Sequence, residues 1–529
     1  MTSKRMRLVA AVFFVAFWLL GLLTAADYGP GWDEQDEMDI LRMNLWEYAR
    51  QLHLDESAFE RRAQTEGLTI SALTPISQSM EQDHGVAALY PLAGAVMSES
   101  ISEGTRSLLW HMACWTLFTL GALALYASAR EMGLGPLWAL PGPVMLLLSP
   151  RFFAQGHFNN KDIVFMALAL CLLWTALRLM QKPTVPRGLL FALAGAYASN
   201  TKVAGMALFG LCGLMVILHL ALQKRLNRRV WAVGGTAFAA FIILYALLTP
   251  ALWQSPIAFV RYLITNALSF QRWSNWVLFR GTVFKLAQQS LPWYYLPYMI
   301  LSTTPLWALL LITVGAVWAL RRILFRRDMK ALLVLLMAFL PLAFAVLTRT
   351  TVYNGWRHFY FLYGPMLLLA VCGLHGLIRA AKPLPRRLLT GGLALCMALT
   401  GVGLITQHPH QQAYYQPLVQ LKGTDYNELD YWNVSVREGL AQLAEQTEGT
   451  IRISGCDLWA DDGLAKAVLA LPAALQSRFE IVESGGDYVL VNPTYALFSG
   501  YQTDASPVVT LSSYGQPILN IYPEGASPQ

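Results

Sequence analysis

The stretch RLVAAVFFVAFWLLGLLTAADYGPGWDEQDE, residues 7–37, joins a long apolar run to an acidic turn. The apolar run, residues 7–26, has the length that crosses the hydrocarbon layer of a bilayer as a helix rising about 1.5 Å per residue. No small-residue cleavage site separates this run from the acids, so we expect a retained first span and not a signal peptide. The turn GPGWDE then places Asp33 and Glu34 just beyond the membrane boundary.

Similar apolar runs recur along the first 406 residues. The chain of 529 residues is 55% hydrophobic and only 13% charged, which is more apolar than a water-soluble protein of this size can bury. We therefore predict a mainly α-helical, polytopic membrane domain over residues 1–406 and a soluble domain over residues 407–529. Eleven spans are expected, near residues 7–26, 106–129, 136–149, 163–180, 188–200, 203–221, 230–251, 296–320, 331–347, 359–378 and 388–406.

The charges predict how these spans are oriented. A cytoplasmic N-terminus followed by eleven spans puts about twenty Lys and Arg residues and about two acids on the cytoplasmic side. The loop 27–105 on the other side holds 15 acidic and four basic residues. This positive-inside pattern means that the net charge of +7 reports topology and not affinity for nucleic acid. We expect an inner-membrane protein with the loop and the tail on the outer side.

The two outer regions also show secondary-structure patterns. In the loop, apolar residues recur at steps of three and four over residues 38–52, which predicts an amphipathic helix lying on the membrane surface. A second such helix is expected at 86–97. In the tail, helical stretches alternate with strand-like ones, so we expect a small α/β domain. Its predicted elements are helices at 434–446 and 463–475 and strands at 451–455, 479–483 and 487–492.

Carboxylates at the outer boundary are candidates for a general base. Asp33 and Glu34 could take a proton from an attacking hydroxyl or amine, although a solvated acidic loop would have the same composition. Asp83 and His84 form a second, weaker candidate pair for catalysis or metal binding. The sequence leaves a requirement for a divalent metal open.

Basic residues at outer span ends run against the positive-inside trend. They are Lys161, Lys202, Arg349 and Arg357. Such residues can hold a phosphate at headgroup depth and stabilise it as a leaving group, whereas the simpler alternative is that they snorkel to the interface. Asp162 is either the ion-pair partner of Lys161 or a second site carboxylate. His358 is either a ligand contact or part of an aromatic belt.

Five blocks, in this order, resemble the GT-C glycosyltransferases, in the branch that contains the protein O-mannosyltransferases and the lipid A aminoarabinose transferases. The blocks are GWDE at 31–34, HFNNKD at 157–162, NTK at 200–202, LPWYYLP with TTP within 291–305, and YNGWRHFYFLYGP at 353–365. After the last span, HPHQQAYYQPL and LDYWNVSVREGL look like the continuation in bacterial members with a soluble C-terminal domain. The resemblance implies a GT-C-like bundle of about 11 transmembrane helices.

The resemblance also implies an activity, namely inverting transfer of a hexosyl or pentosyl group from a polyprenyl-phosphate-linked donor. The acceptor would be a protein, a lipid or a glycan on the outer face, and no nucleotide is required. Asp33 is then the base with Glu34 beside it, and the donor phosphate is held by Lys202, Arg357 and Lys161. The remaining site candidates are Asp162, Asp83, His84, Arg349 and His358. A second acidic cluster at Asp36, Glu37 and Asp39 departs from the family pattern and leaves the choice among carboxylates open.

Two other functions compete with this one. A transporter or flippase of a lipid-linked sugar would place ionisable groups near the bilayer midplane, whereas these charges gather at one surface. The tail could also serve as a scaffold that binds a partner. Because every phosphate candidate precedes residue 407, we expect the tail to be dispensable for donor binding.

Overall fold

The protein is described by a computed structural model that covers residues 3–65, 73–268, 275–420, 422–423 and 425–524. Small parts of the expected first loop, of the outer segment 252–295 and of the tail therefore lie outside the described residues. Among the described residues, nine helices are long and apolar enough to cross a membrane. They are Lys4–Asp27, Glu103–Glu131, Asp162–Gln181, Ala204–Leu222, Arg228–Leu248, Leu306–Arg326, Met329–Thr348, Arg357–Ala380 and Pro383–Thr406.

The number of long apolar helices within the described ranges, nine, differs from the eleven spans predicted because two of the predicted spans are short. The run at 136–149 belongs to a helix pair, Pro136–Leu147 and Pro150–Phe158, that is bent by 75° and counts as a tenth span if taken together. The run at 188–200 is the helix Val185–Thr201, whose 17 residues span about 25 Å and whose inner face is buried against its neighbours. The run at 296–320 is divided, because the helix Tyr295–Thr303 ends before Pro305 and the span begins at Leu306. The chain is thus a multi-pass, mainly helical membrane protein.

The helices Asp162–Gln181 and Arg357–Ala380 form the centre of the bundle, and 83% of the most apolar stretch of each is buried. Both begin at the predicted outer end of the bundle, where their first residues are the charged groups of two of the sequence blocks. By contrast, only 6% of the most apolar stretch of Pro383–Thr406 is buried, as expected for a lipid-facing helix. The central pair therefore fixes the position of the charges that begin each helix.

The first outer loop differs from its prediction. Its helix, Glu34–Gln51, does not lie on a surface, because its polar side chains Asp39, Arg42 and Glu47 are buried as well as its apolar ones. Arg42 pairs with Asp39 and donates to the carbonyl of Val96, so the polar face packs against the rest of the loop. The predicted helix at 86–97 is broken into a 3₁₀ turn, Ala87–Leu92, and one helical turn, Ala93–Met97, because Pro91 interrupts it. A further helix, Ser57–Thr65, lies between them.

The tail has its own core and a five-stranded mixed sheet. The strand order is Phe479–Ile481, Ile451–Gly455, Tyr488–Val491, Gln516–Pro523 and Val509–Ser513; the first three are parallel and the last two are antiparallel to their neighbours. The main helices are Val436–Gln446, Leu458–Leu469 and Pro493–Ser499. The α/β domain is confirmed, and the last helix and the final hairpin were not predicted. A separate hairpin, Trp276–Phe279 with Thr282–Lys285, lies before the helix Tyr295–Thr303, in the segment predicted to be outside the membrane.

The tail is docked on the turn that follows the first span. The amide of Trp32 donates to the carbonyl of Trp432 at 3.0 Å, and a Cβ on Gly29 would lie 2.4 Å from the carbonyl oxygen of Val434. Only glycine permits that approach. Lys466 of the tail donates to the carbonyl of Trp32 and lies 3.6 Å from Asp36. The soluble domain is therefore packed against the residues next to Asp33.

Candidate active site

Asp33 stands immediately before the helix Glu34–Gln51, and its carboxylate makes no capping hydrogen bond to that helix. It instead accepts a hydrogen bond from Nη1 of Arg357 at 2.9 Å. The Asp33 side chain is 28% exposed, whereas that of Arg357 is 9% exposed. The predicted base and a predicted phosphate ligand, 324 residues apart in the chain, are therefore in direct contact.

Arg357 is positioned by two of the sequence blocks acting together. The turn before it has left-handed backbone at Asn354 (φ 52°) and Gly355 (φ 78°), and the amide of Gly355 donates to the Tyr295 hydroxyl at 2.8 Å. Trp356 Nε1 donates to the Thr303 hydroxyl, also at 2.8 Å. The YNGWRH block is thus tied to the LPWYYLP and TTP blocks by hydrogen bonds, and Arg357 follows directly.

Aromatic rings surround the guanidinium of Arg357. Its central carbon lies 5.3 Å from the ring centre of Tyr353 and 4.9 Å from those of Tyr431 and Trp432, and Nη2 donates to the Tyr431 hydroxyl at 3.2 Å. Stacking of this kind holds a planar guanidinium in one orientation at little entropic cost. Tyr431 and Trp432 belong to the tail, which argues against the expectation that the tail is dispensable for donor binding.

Asp162 links Arg357 to Lys202. Its carboxylate pairs with Nζ of Lys202 and lies 3.9 Å from Nη1 of Arg357. Asn159 holds Asp162 in place, because the side-chain oxygen of Asn159 accepts a hydrogen bond from the backbone amide of Asp162 at 2.8 Å. The result is a continuous chain of alternating charge, Lys202, Asp162, Arg357 and Asp33, which we call the outer charge cluster. Sequence adjacency suggested Lys161 as an ion-pair partner of Asp162. In the structure Asp162 pairs with Lys202 instead.

The acids of the second cluster have other partners. Lys161 lies 3.4 Å from Glu37, Asp36 faces Lys466, and Asp39 pairs with Arg42. Burial lowers the pKa of Lys466, but Asp36 and Asp462 outweigh that effect and the pKa is raised. Asp33 and Glu37 differ from Asp36 and Asp39 because their partners, Arg357 and Lys161, are themselves phosphate candidates.

Glu34 points away from Asp33. Its carboxylate is buried, lies 2.7 Å from Nε2 of His111 and accepts the amide of Gly31 at 3.3 Å. Adjacent residues at a helix start project about 100° apart, so one faces the cluster and the other the interior. Glu34 is therefore placed to hold the turn and not to contact a substrate.

Among the contacts described, only His358 of the remaining site candidates lies beside a member of the outer charge cluster. His358 packs edge-on against Tyr353 with ring centres 4.5 Å apart, which puts it beside Arg357. Asp83 accepts from Asn266 at 2.7 Å, and His84 lies 2.5 Å from Glu81. Arg349 is exposed at the end of Met329–Thr348. No group of three or more His, Cys, Asp or Glu side chains in the described part of the chain could hold a metal ion.

Glu428 is a site residue that the sequence analysis missed. It is buried, and Nδ2 of Asn354 lies 3.2 Å from each of its carboxylate oxygens. Burial raises the pKa of Glu428 to about 7. Its position just before the LDYW block was the one sequence feature that pointed to it. The neighbouring residues do not indicate that this glutamate is buried.

Comparison of the sequence with protein-family models and with curated proteins finds no match. Comparison of the structure does find similar folds. ArnT from Cupriavidus metallidurans in the apo state, a lipid A aminoarabinose transferase, matches with a TM-score of 0.50 and 14% identity over 99% of this chain and 100% of ArnT. The chain has a GT-C-type fold.

Two further structures resemble this fold more loosely. ArnT from the same organism bound to undecaprenyl phosphate gives a TM-score of 0.48 at 14% identity, covering 98% of this chain and 99% of ArnT. An oligosaccharyltransferase from Archaeoglobus fulgidus gives 0.48 at 13% identity, covering 90% of this chain and 64% of that enzyme. The GT-C-like fold expected from the sequence blocks is thus confirmed by the first comparison.

Proposed function

We propose that this protein is a membrane glycosyltransferase that moves a sugar from a polyprenyl-phosphate-linked donor to an acceptor at the outer face of a bacterial inner membrane. The observation that carries the proposal is the outer charge cluster. It joins three separate sequence blocks and the first turn at the end of the bundle where the predicted outer loops lie, and the GT-C-type fold is compatible with this chemistry.

The cations of the cluster suit a phosphate at the depth of lipid headgroups. Lys202 offers a compact charge, and Arg357 offers a planar fork whose Nε has no hydrogen-bond partner among the described residues. Lys161 is partly exposed and stands close by in sequence, next to Asp162. Charge-assisted hydrogen bonds from such groups strengthen as negative charge grows on a departing phosphate.

Asp33 is the proposed base. The acceptor oxygen forms a bond to the anomeric carbon of the sugar, and the bond from that carbon to the phosphate oxygen breaks. The phosphate oxygen keeps the electron pair, and the Asp33 carboxylate takes the acceptor proton. A single displacement of this kind inverts the anomeric configuration.

The contact between Asp33 and Arg357 gives the reaction an order. While the Asp33 carboxylate accepts the hydrogen bond from Nη1 of Arg357, that oxygen is not available to an acceptor hydroxyl. A donor phosphate competes for the same guanidinium, so its arrival would release Asp33. Donor binding would thereby activate the base, and the acceptor would react second.

Binding of undecaprenyl phosphate, measured by native mass spectrometry on protein released from nanodiscs, tests the donor assignment. We expect binding by the wild type and weaker binding by Arg357→Ala. An exposed arginine of the tail, Arg452, provides the matched control Arg452→Ala, which should bind normally. Equal binding by both variants contradicts the assignment.

Transfer of labelled sugar from undecaprenyl-phosphate-linked donors to cell-envelope fractions tests the activity. Movement of the labelled lipid across a proteoliposome membrane without transfer would instead identify a flippase.

Single-cysteine labelling in intact cells tests the proposed orientation, with the N-terminus cytoplasmic and the tail periplasmic. A cysteine introduced at the exposed position Phe325, in the last turn of the helix Leu306–Arg326 and just before Met329–Thr348, should be protected from an impermeant reagent. A cysteine at the exposed position Leu458 of the tail should react. The opposite result would invert the topology and contradict the proposed side of reaction.

A further inference from the structure

A cavity of about 330 Å³ opens beside the outer charge cluster, between the first turn, the 276–285 hairpin and the tail. Its walls include Trp32, Trp276 and Trp459 on one hand, and Asn354, Glu428 and Asp457 on the other. We propose that this cavity binds a neutral sugar ring of the acceptor, and that the acceptor is therefore a glycan. The inference rests on the proposed function, because it names the substrate class for the acceptor side of that site.

The aromatic wall suits the apolar face of a sugar. Trp32 and Trp459 lie with ring centres 5.0 Å apart at 45°, and Trp276 meets Phe498 edge-on at 5.5 Å. Rings fixed in this way offer broad, rigid contact surfaces at low entropic cost. The C–H groups on one face of a six-membered sugar match such a surface, since that face carries no hydroxyl.

The polar wall consists mainly of hydrogen-bond acceptors. Glu428 and Asp457 present carboxylates, and the side-chain oxygen of Asn354 is buried without a hydrogen-bond partner among the described residues. An acyl chain placed here would leave the buried Asn354 oxygen without a partner and would offer no donor to the two carboxylates, which accept only from Asn354 and from the Ala460 amide among the hydrogen bonds described. Hydroxyl groups donate to them, so a ligand with many hydroxyls satisfies both walls.

A cationic ligand is disfavoured by the protein's own cations. Nζ of Lys466 lies 5.1 Å from the ring centre of Trp32, and Arg357 stacks on Tyr431, which also lines the cavity. These positive charges already use the electron-rich faces that an ammonium group would need. The cavity therefore differs from an aromatic cage for cations, although it contains carboxylates.

The size and position fit an acceptor. Small-molecule sites occupy about 300–1,000 Å³, and this cavity lies at the lower end of that range, which suits one or two sugar rings. Trp32 directly precedes Asp33, and Tyr431 accepts a hydrogen bond from Arg357. A ring bound here is next to both the base and the donor side.

Saturation-transfer NMR on the full chain in nanodiscs, with no donor lipid added, tests the inference. The probes are methyl α-D-glucopyranoside, methyl N-acetyl-β-D-glucosaminide and, as an apolar probe, n-hexanol. We expect transfer to the ring C–H protons of at least one glycoside, reduced about tenfold by Trp459→Ala and by Trp276→Ala. The matched control is Trp293→Ala, an exposed tryptophan outside the cavity, which should leave the signal unchanged.

The outcomes separate this inference from the proposed function. An absent glycoside signal, a signal equal in the cavity variants and the control, or a signal from hexanol alone would overturn the inference. Two variants on different elements guard against misfolding of either one. Native mass spectrometry with undecaprenyl phosphate is run on the same preparations. Lipid-phosphate binding without glycoside binding overturns the inference alone, whereas glycoside binding without lipid-phosphate binding overturns the acceptor role together with the proposed function.

Discussion

The two ends of the membrane domain use positive charge in opposite ways. At the end predicted to face the cytoplasm, exposed arginines lie in a turn or near the ends of helices; they are Arg225, Arg228, Arg326 and Arg387. At the other end, Arg357 is buried against carboxylates and aromatic rings, and Lys202 is paired with the buried Asp162. Exposed cations set orientation through their number, whereas buried cations require a specific partner. Exposed residues should therefore tolerate replacement, and members of the buried cluster should not.

The largest expected effect comes from Asp33→Asn. Loss of a general base typically lowers the rate by about 10² to 10⁴, so turnover should fall by that factor. Donor affinity should stay equal or rise, because Arg357 loses its competing carboxylate. Single-turnover transfer and lipid-phosphate binding measure the two effects separately.

The other acids provide the comparison for Asp33. Asp36→Asn, Asp83→Asn and Glu34→Gln should each reduce transfer far less. If one of these abolishes transfer while Asp33→Asn is nearly normal, the base has been assigned to the wrong carboxylate. If all four variants transfer normally, the base mechanism itself is wrong.

Lys202→Met should weaken binding of undecaprenyl phosphate by about 10- to 100-fold, the contribution of one charge-assisted hydrogen bond. It also leaves Asp162 without its nearest cation, which destabilises the fold. The double variant Lys202→Met with Asp162→Asn removes both charges, so it should recover thermal stability without recovering binding. The exposed Lys182 supplies the control Lys182→Met, and reduced binding by that control would remove the contrast between the two ends.

Gly29→Ala should loosen the tail from the first turn, because the added methyl group would meet the carbonyl of Val434. Overpacking of this kind costs about 1–3 kcal/mol. Hydrogen exchange should rise around residues 430–436. Gly94→Ala, where a Cβ meets nothing within 4 Å, is the matched control. Unchanged exchange in Gly29→Ala would show that the two regions are not tightly docked.

The smallest effect concerns pH. Burial raises the pKa of Glu428 from 4.5 to about 7, so the protonated form is favoured in the folded protein. The stability that this proton contributes is complete below pH 4.5 and is lost as the pH rises through about 7. The apparent Tm should fall by a few degrees between pH 5 and 8, and Glu428→Gln should flatten this slope. A slope that is the same in both proteins would mean that Glu428 is not the group responsible.

The sequence predicted most of the helices and named the residues of the outer charge cluster, but it did not predict which of those residues contact one another. Long apolar runs have one structural outcome in a membrane, so the main spans were predicted. The differences fell on the short runs at 136–149 and 188–200 and on the proline-divided run at 296–320. Asp33, Arg357, Lys202 and Asp162 were all named as candidates. Which of them touch depends on how distant helices pack, and sequence spacing does not carry that information.

The residues supplied by the tail were harder to foresee. Tyr431 and Trp432 were noticed only as part of a resembling block, and Glu428 not at all. Their role arises from docking, since a tyrosine or glutamate in a soluble domain has no local signal for a contact with a membrane helix. The amphipathic reading of residues 38–52 was misleading for a related reason, because a polar face can be covered by protein as well as by water.

The close approach at Gly29 limits how such proteins can be recombined. A tail transplanted from another chain would need to accept the backbone of the first turn at Val434, the Trp32 amide at Trp432 and the Asp36 carboxylate near Lys466. The turn and the tail must therefore be exchanged together, although some 400 residues separate them in the sequence. Chimaeras that exchange residues 28–36 together with the tail should retain a docked domain, and chimaeras that exchange the tail alone should not.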